Sequence, residues 1–109
     1  MRILAVGDLV GQAGLKKFEQ EYQKIKENEN IDFCVVNAEN VADGMGITEK
    51  AYRSLTNQKI DCITMGNHTW AKKDVFGFID NSNIVRPANY SKNNPGKGYR
   101  VFECKGKKI

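Results

Sequence analysis

The sequence predicts an α/β fold: a mainly parallel sheet with helices on both faces. Two observations carry that expectation. Short, continuous apolar runs alternate three times with amphipathic stretches, the pattern of a covered parallel sheet. Each of the first three apolar runs also ends in a polar cluster. In a parallel sheet such ends lie side by side along one edge, where open α/β folds bind ligands.

The elements follow in order. Arg2 to Val6 is a short apolar run stopped by Gly7-Asp8 and reads as a buried strand. Leu15, Phe18, Tyr22 and Ile25 recur at helical spacing with Lys, Glu and Gln between them, which predicts a helix over 13–28. Ile31 to Val36 is rich in β-branched and aromatic residues and predicts a second strand. A glycine loop, Asp43-Gly44-Met45-Gly46, leads to Thr48 as an N-cap, and Glu49 suits the positive end of a helix over 49–57. Ile60 to Thr64 is a third strand, Asp74 to Ile79 a short helix, and Ile84-Val85 and Gly98 to Cys104 are further strands. Asn93-Asn94-Pro95-Gly96 reads as a turn rather than a domain boundary. With no repeat or flexible linker, residues 1–109 read as part or all of one domain.

Composition narrows the class. Hydrophobic residues make up 40% and charged residues 28% of the chain, as in a soluble globular domain. Part of the +4 net charge comes from Lys105, Lys107 and Lys108. No block of like charge is interleaved with aromatics, so a nucleic-acid groove gains little support and solvated lysines account for the excess. No apolar run approaches the ~18 residues of a membrane span. The N-terminal apolar run is short and meets an acid at once, unlike a signal peptide, so a cytoplasmic location is expected. Cys34, Cys62 and Cys104 lack CxxC spacing and sit in strand-like segments, which predicts reduced, buried thiols.

The polar clusters are Gly7-Asp8-Leu9-Val10-Gly11, Asn37-Ala38-Glu39-Asn40 and Gly66-Asn67-His68-Thr69-Trp70. They offer oxygen and imidazole ligands in Asp8, Glu39, Asn40, Asn67 and His68, a set that suits Mn, Fe or Mg better than a thiolate site would. Each residue alone has a plainer reading. Asp8 suits a helix N-cap, Asn40 and Asn67 suit turns, and a lone histidine is more often structural. Gly7, Gly11 and Gly14 match neither GxGxxG nor GxxxxGK[ST], which counts against a dinucleotide or P-loop site. Three clusters at three successive strand ends are harder to explain by turn chemistry.

Gly7-Asp8, Asn37-Ala38-Glu39-Asn40 and Gly66-Asn67-His68 resemble the first three blocks of the calcineurin-like metallophosphoesterases. Gly44-Met45-Gly46-Ile47-Thr48, Met65-Gly66-Asn67-His68-Thr69-Trp70 and Val85-Arg86-Pro87-Ala88-Asn89-Tyr90 are similar to the bacterial YmdB-type subfamily. The resemblance covers essentially the whole chain and implies the N-terminal part of an α/β metallophosphoesterase sandwich. It implies two divalent or trivalent metal ions (Fe, Mn or Mg), with Asp8 and Asn40 on the first, Asn67 on the second and Glu39 bridging them. It implies His68 as the acid near the leaving oxygen. The implied activity is phosphoester hydrolysis, with 2′,3′-cyclic nucleotides as substrates and a homo-oligomeric full-length protein. The alternative is a non-catalytic nucleotide- or metal-binding regulatory module.

The chain departs from the wider superfamily at three points. Val10 stands where the first block carries a histidine, a loss that Asn40 is expected to offset. Thr69 follows His68 where an orienting acid is usual. The later histidines, including a Gly-His-x-His motif, are absent from a chain with one histidine. Gly106-Lys107-Lys108-Ile109 reads as the turn and opening residues of a hairpin whose second strand lies beyond residue 109. Truncation before the C-terminal motifs is therefore expected, with an incomplete metal site.

Overall fold

The computed structural model describes residues 1–109. Four strands, β1 (Ile3–Val6), β2 (Phe33–Asn37), β3 (Cys62–Thr64) and β4 (Ile84–Val85), pair in that order, every pair parallel. Helix α1 (Gly11–Asn28) joins β1 to β2, and α2 (Glu49–Asn57) joins β2 to β3. A 3-10 turn at Lys73–Gly77 lies between β3 and β4, where the sequence suggests a short helix over 74–79.

The parallel α/β sheet is as expected. Strands that advance one place at a time through right-handed crossovers put every crossover on the same face. Both helices accordingly lie side by side: Gln23 Nε2 donates to Gln58 O at 3.3 Å, and the Ser54 hydroxyl donates to the Glu19 carboxylate. Within residues 1–109 this strand order places both helices on one face of the sheet.

One core lies between helices and sheet. Leu15, Phe18 and Tyr22 of α1 and Ala51 and Leu55 of α2 pack with Cys34, Val36, Ile63 and Ile84 of the strands. Phe18 stacks on Tyr22 with ring centroids 4.9 Å apart. Ile25, the last apolar position of the helical stripe, stays partly exposed at its edge. Because strand side chains alternate, Phe33 points to the other face, where it meets Phe102 edge-on at 5.4 Å. The C-terminal segment crosses that face: Arg100 Nε donates to Ile84 O at 2.9 Å and Cys104 Sγ to Asp32 O at 3.4 Å. Cys34 and Cys62 are buried and Cys104 is half-buried, all three free.

Local signals explain the element ends. Thr48 caps α2 by accepting from Ala51 N at 3.2 Å, and Glu49 in the first turn pairs with Arg53 at 2.7 Å. The strand expected over 98–104 narrows to β5 (Glu103–Cys104), which pairs antiparallel with β6 (Lys107–Lys108). Lys105 and Gly106 both have positive φ, 49° and 72°, as a two-residue hairpin turn requires. Phe102 and Ile109 exchange backbone hydrogen bonds of 3.0 and 2.9 Å. The turn is therefore Lys105-Gly106, and Lys107 to Ile109 are the opening residues of the second strand, paired with Phe102 to Cys104. No helix is long and apolar enough to cross a membrane.

Candidate active site

The carboxyl ends of β1, β2 and β3 open onto one edge of the sheet. Backbone bonds extend the ladder beyond the strands and fix the loops: Leu9 N to Asn37 O and Gly11 N to Asn40 O at 3.0 Å, Ala38 N to Thr64 O at 3.1 Å, and Met65 N to Val85 O at 2.9 Å. Asp8 follows β1, Glu39 and Asn40 follow β2, and Asn67 and His68 follow β3.

Asn40 joins the three loops. Its Nδ2 donates to Asp8 Oδ1 at 2.7 Å, and its Oδ1 lies 2.6 Å from His68 Nδ1. With the amide so oriented, Nδ1 carries the proton, and Nε2 is the ring atom left for other partners. The orientation that an acid at position 69 would supply comes instead from Asn40. Thr69 is buried and turns its hydroxyl onto Gly66 O at 2.5 Å.

Asp8 sits in the left-handed region at φ 42°. Aspartate tolerates that conformation because its short polar chain bonds locally. The N-cap of α1 is Val10, which makes no side-chain cap, so the N-cap reading of Asp8 does not hold.

Glu39 is half-buried, and Glu39 Oε2 lies 3.4 Å from His68 N, a long contact. Its carboxylate rests against Gly66: a Cβ there would lie 2.2 Å from Oε2 and 2.6 Å from Oε1. The missing side chain makes the space the carboxylate occupies. Gly46 does similar service for the β2–α2 loop. Its N–H donates to Glu39 O at 2.5 Å, its φ is 82°, and a Cβ would meet Lys72 Cγ at 2.9 Å.

Four of the five sequence-derived residues thus meet in one network: Asp8, Asn40, His68 and Glu39. Asn67 shares the His68 loop and is exposed. Sequence reading missed the part played by Gly66; its place at the head of the Gly66-Asn67-His68 loop, opposite Glu39, is the available signal. It also missed Tyr90, whose hydroxyl donates to Gly66 O at 3.3 Å and whose ring lies 6.2 Å from Trp70.

The donor set fits hard cations. No group of three or more His, Cys, Asp or Glu side chains comes together to hold a metal. The ligands on offer are two carboxylates and two amide oxygens, of the class that oxygen-loving cations take. Asn40 Oδ1 keeps a second lone pair beyond its bond to His68.

Known proteins share this arrangement of the chain. Residues 4–109 match the family described as YmdB-like protein. A 2′,3′-cyclic-nucleotide 2′-phosphodiesterase of Bacillus subtilis (strain 168) is 46% identical over 110 residues, covering 100% of this chain and 42% of that protein. A hypothetical protein of Thermus thermophilus, known from its crystal structure, superposes with a TM-score of 0.92 at 33% identity, over 99% of this chain and 42% of the other. A crystal structure described as a novel phosphatase from Mycoplasma pneumoniae gives 0.85 at 35% identity, over 93% and 38%. The chain thus spans about two-fifths of the length of the relatives it matches. Matched over nearly its whole length, the chain belongs to the YmdB-like protein family.

Proposed function

We propose that the intact protein is a metal-dependent phosphoesterase that hydrolyses 2′,3′-cyclic nucleotides. The observation that carries this reading is the hydrogen-bonded series His68–Asn40–Asp8 across three strand ends, beside the Glu39 carboxylate. The name of the Bacillus subtilis relative supports the substrate class.

Asp8, Glu39, Asn40 and Asn67 are the residues that would hold the cations, with Glu39 as the bridging carboxylate. When bound, two such ions supply Lewis acidity and a hydroxide source at neutral pH. The chain's own residues do the rest. Gly66 leaves Glu39 room beside the His68 loop. Asn40 fixes the His68 ring by accepting from Nδ1, so that Nε2, in the doubly protonated ring, is the atom to deliver a proton to the departing ester oxygen. Asp8 accepts from the Asn40 amide and so holds the amide oxygen towards that ring.

Elemental analysis and single-turnover kinetics of two variants test the reading. Glu39→Gln should lose two-metal binding, because a bridge needs both charged oxygens. His68→Ala should keep the metals and slow turnover by ~10²–10⁴-fold, the usual contribution of a general acid. Full metal occupancy in Glu39→Gln would refute the bridge, and unchanged turnover in His68→Ala would refute the acid.

A further inference from the structure

Glu39 needs the space at Gly66, and the residue that leaves the space brings its own difficulty. A Cβ there would collide with both oxygens of the Glu39 carboxylate, so the position carries no side chain. Glycine is also the residue whose backbone rotates most freely. The peptide plane that follows Gly66 is rigid and carries Asn67 directly. Left to rotate, it would swing Asn67 and His68 away from Asp8, Glu39 and Asn40.

Two hydroxyls oppose that rotation. Gly66 to Thr69 form a turn closed by Thr69 N, which donates to Gly66 O at 3.1 Å, so Asn67 and His68 are its two central residues. The Thr69 hydroxyl donates to the same oxygen at 2.5 Å, and the Tyr90 hydroxyl donates to it at 3.3 Å. Three donors from two residues converge on one carbonyl, where a turn needs only one. The Gly66 carbonyl cannot turn without weakening all three bonds.

Both hydroxyls are held from behind. Thr69 is fully buried, and the chain beyond it makes a second turn in which Ala71 N donates to His68 O at 3.1 Å. Tyr90 closes a turn of its own after β4, its N donating to Pro87 O at 3.2 Å. Its ring lies 6.2 Å from that of Trp70, the residue after Thr69. The demand on the turn is tight, because His68 Nδ1 meets Asn40 Oδ1 at 2.6 Å and a shift of about 1 Å takes that pair out of hydrogen-bond range.

We propose that Thr69 and Tyr90 are positioning residues for the hydrolysis: their hydroxyls pin the Gly66 carbonyl and so hold Asn67 and His68 in register with Glu39 and Asn40. The proposal rests on the phosphoesterase reading above. Each hydroxyl acts through the turn rather than on the substrate. Glycine makes room for the carboxylate, and the two hydroxyls restore the rigidity that glycine removes.

The test uses the intact protein with saturating Mn²⁺ and 2′,3′-cyclic uridine monophosphate. Thr69→Val keeps the shape of the side chain and removes the hydroxyl, Thr69→Ser keeps the hydroxyl, and Tyr90→Phe keeps the ring. Gly66 O retains two donors in each hydroxyl-deleting variant, so no buried acceptor is left unpaired and the fold survives. Misplacement by about 1 Å costs up to ~10²-fold, so Thr69→Val should lower kcat by about 10- to 100-fold with KM unchanged. Tyr90→Phe gives up a longer bond and should lower kcat by about 3- to 10-fold. Thr69→Ser should restore kcat to near the wild-type value. Amide hydrogen exchange reads the turn without turnover: at residue 69 it should quicken about two- to tenfold in Thr69→Val and Tyr90→Phe, and not in Thr69→Ser. Thr56→Val, which removes a hydroxyl bonded to Arg53 O at 3.0 Å near the end of α2, should change neither readout. Unchanged kcat in Thr69→Val or in Tyr90→Phe overturns the role of that residue. A loss in Thr69→Ser as large as in Thr69→Val, a loss confined to KM, or unaltered exchange at residue 69 overturns the proposal as a whole. Hydrolysis by none of the proteins, wild type included, overturns the phosphoesterase reading instead, while the exchange rates still judge the pinned turn.

Discussion

Gly66→Ala isolates the packing that positions Glu39. An added Cβ would stand 2.2 Å from Oε2, whereas ordinary contact begins near 3.4 Å. The carboxylate must retreat by about 1 Å, a displacement on the scale that costs up to ~10²-fold where geometry matters. The backbone at Gly66 is not in the left-handed region, so alanine brings no conformational strain. The obstructing group is the free end of a flexible side chain, and the entropy gain of replacing glycine is about 0.4–1 kcal/mol. Stability should therefore move by no more than about 1 kcal/mol, while affinity for Mn²⁺ falls by one to two decades. Thermal denaturation and isothermal titration with Mn²⁺ measure the two effects. In a Glu39→Ala background the same Gly66→Ala change should have no effect on Mn²⁺, since the group it displaces is gone. Unchanged Mn²⁺ affinity in the single variant would show that the Glu39 carboxylate need not occupy this position. A large loss of stability would show that the collision is not relieved by the side chain.

The core and the thiols give three further expectations. Leu55→Ala removes a fully buried side chain and should cost about 2–5 kcal/mol in urea denaturation. Thr48→Ala removes the α2 cap and should cost about 1 kcal/mol by the same measurement. Burial pushes the Cys34 thiol up to about 11 from 9.0 and raises Cys62 as well, so a thiol-selective reagent at neutral pH should label Cys104 first and the other two only on unfolding. Because the folded-state value of Cys34 is raised, its contribution is intact below pH 9.0 and is lost as pH climbs towards 11; denaturation midpoints should fall across that window, and Cys34→Ala should flatten the fall.

Much of the site was legible because its residues follow apolar runs. Asp8, Glu39, Asn40 and His68 could be grouped from the rule that parallel strands share an edge, and the network among them follows that grouping. Lys92, Lys97 and Arg100 are too sparse in sequence to read as a charged block, and their convergence appears only when Lys97 pairs with Val85. The hairpin escapes sequence reading for a similar reason. Lys105 has no sequence signal for positive φ, so the turn reads one residue later than it is.

The alternation of strand and helix, the apolar faces of α1 and α2, and the chemical types gathered at the strand ends are all readable along the linear chain. Those depend on local period and on residue identity, which a single chain displays directly. The tertiary structure alone decided which face the helices cover, that Asn40 rather than residue 69 orients His68, and that Gly66 makes room for Glu39. Each of these depends on the order in which strands pair and on how closely separate loops approach. Such distances arise only when the whole sheet is assembled.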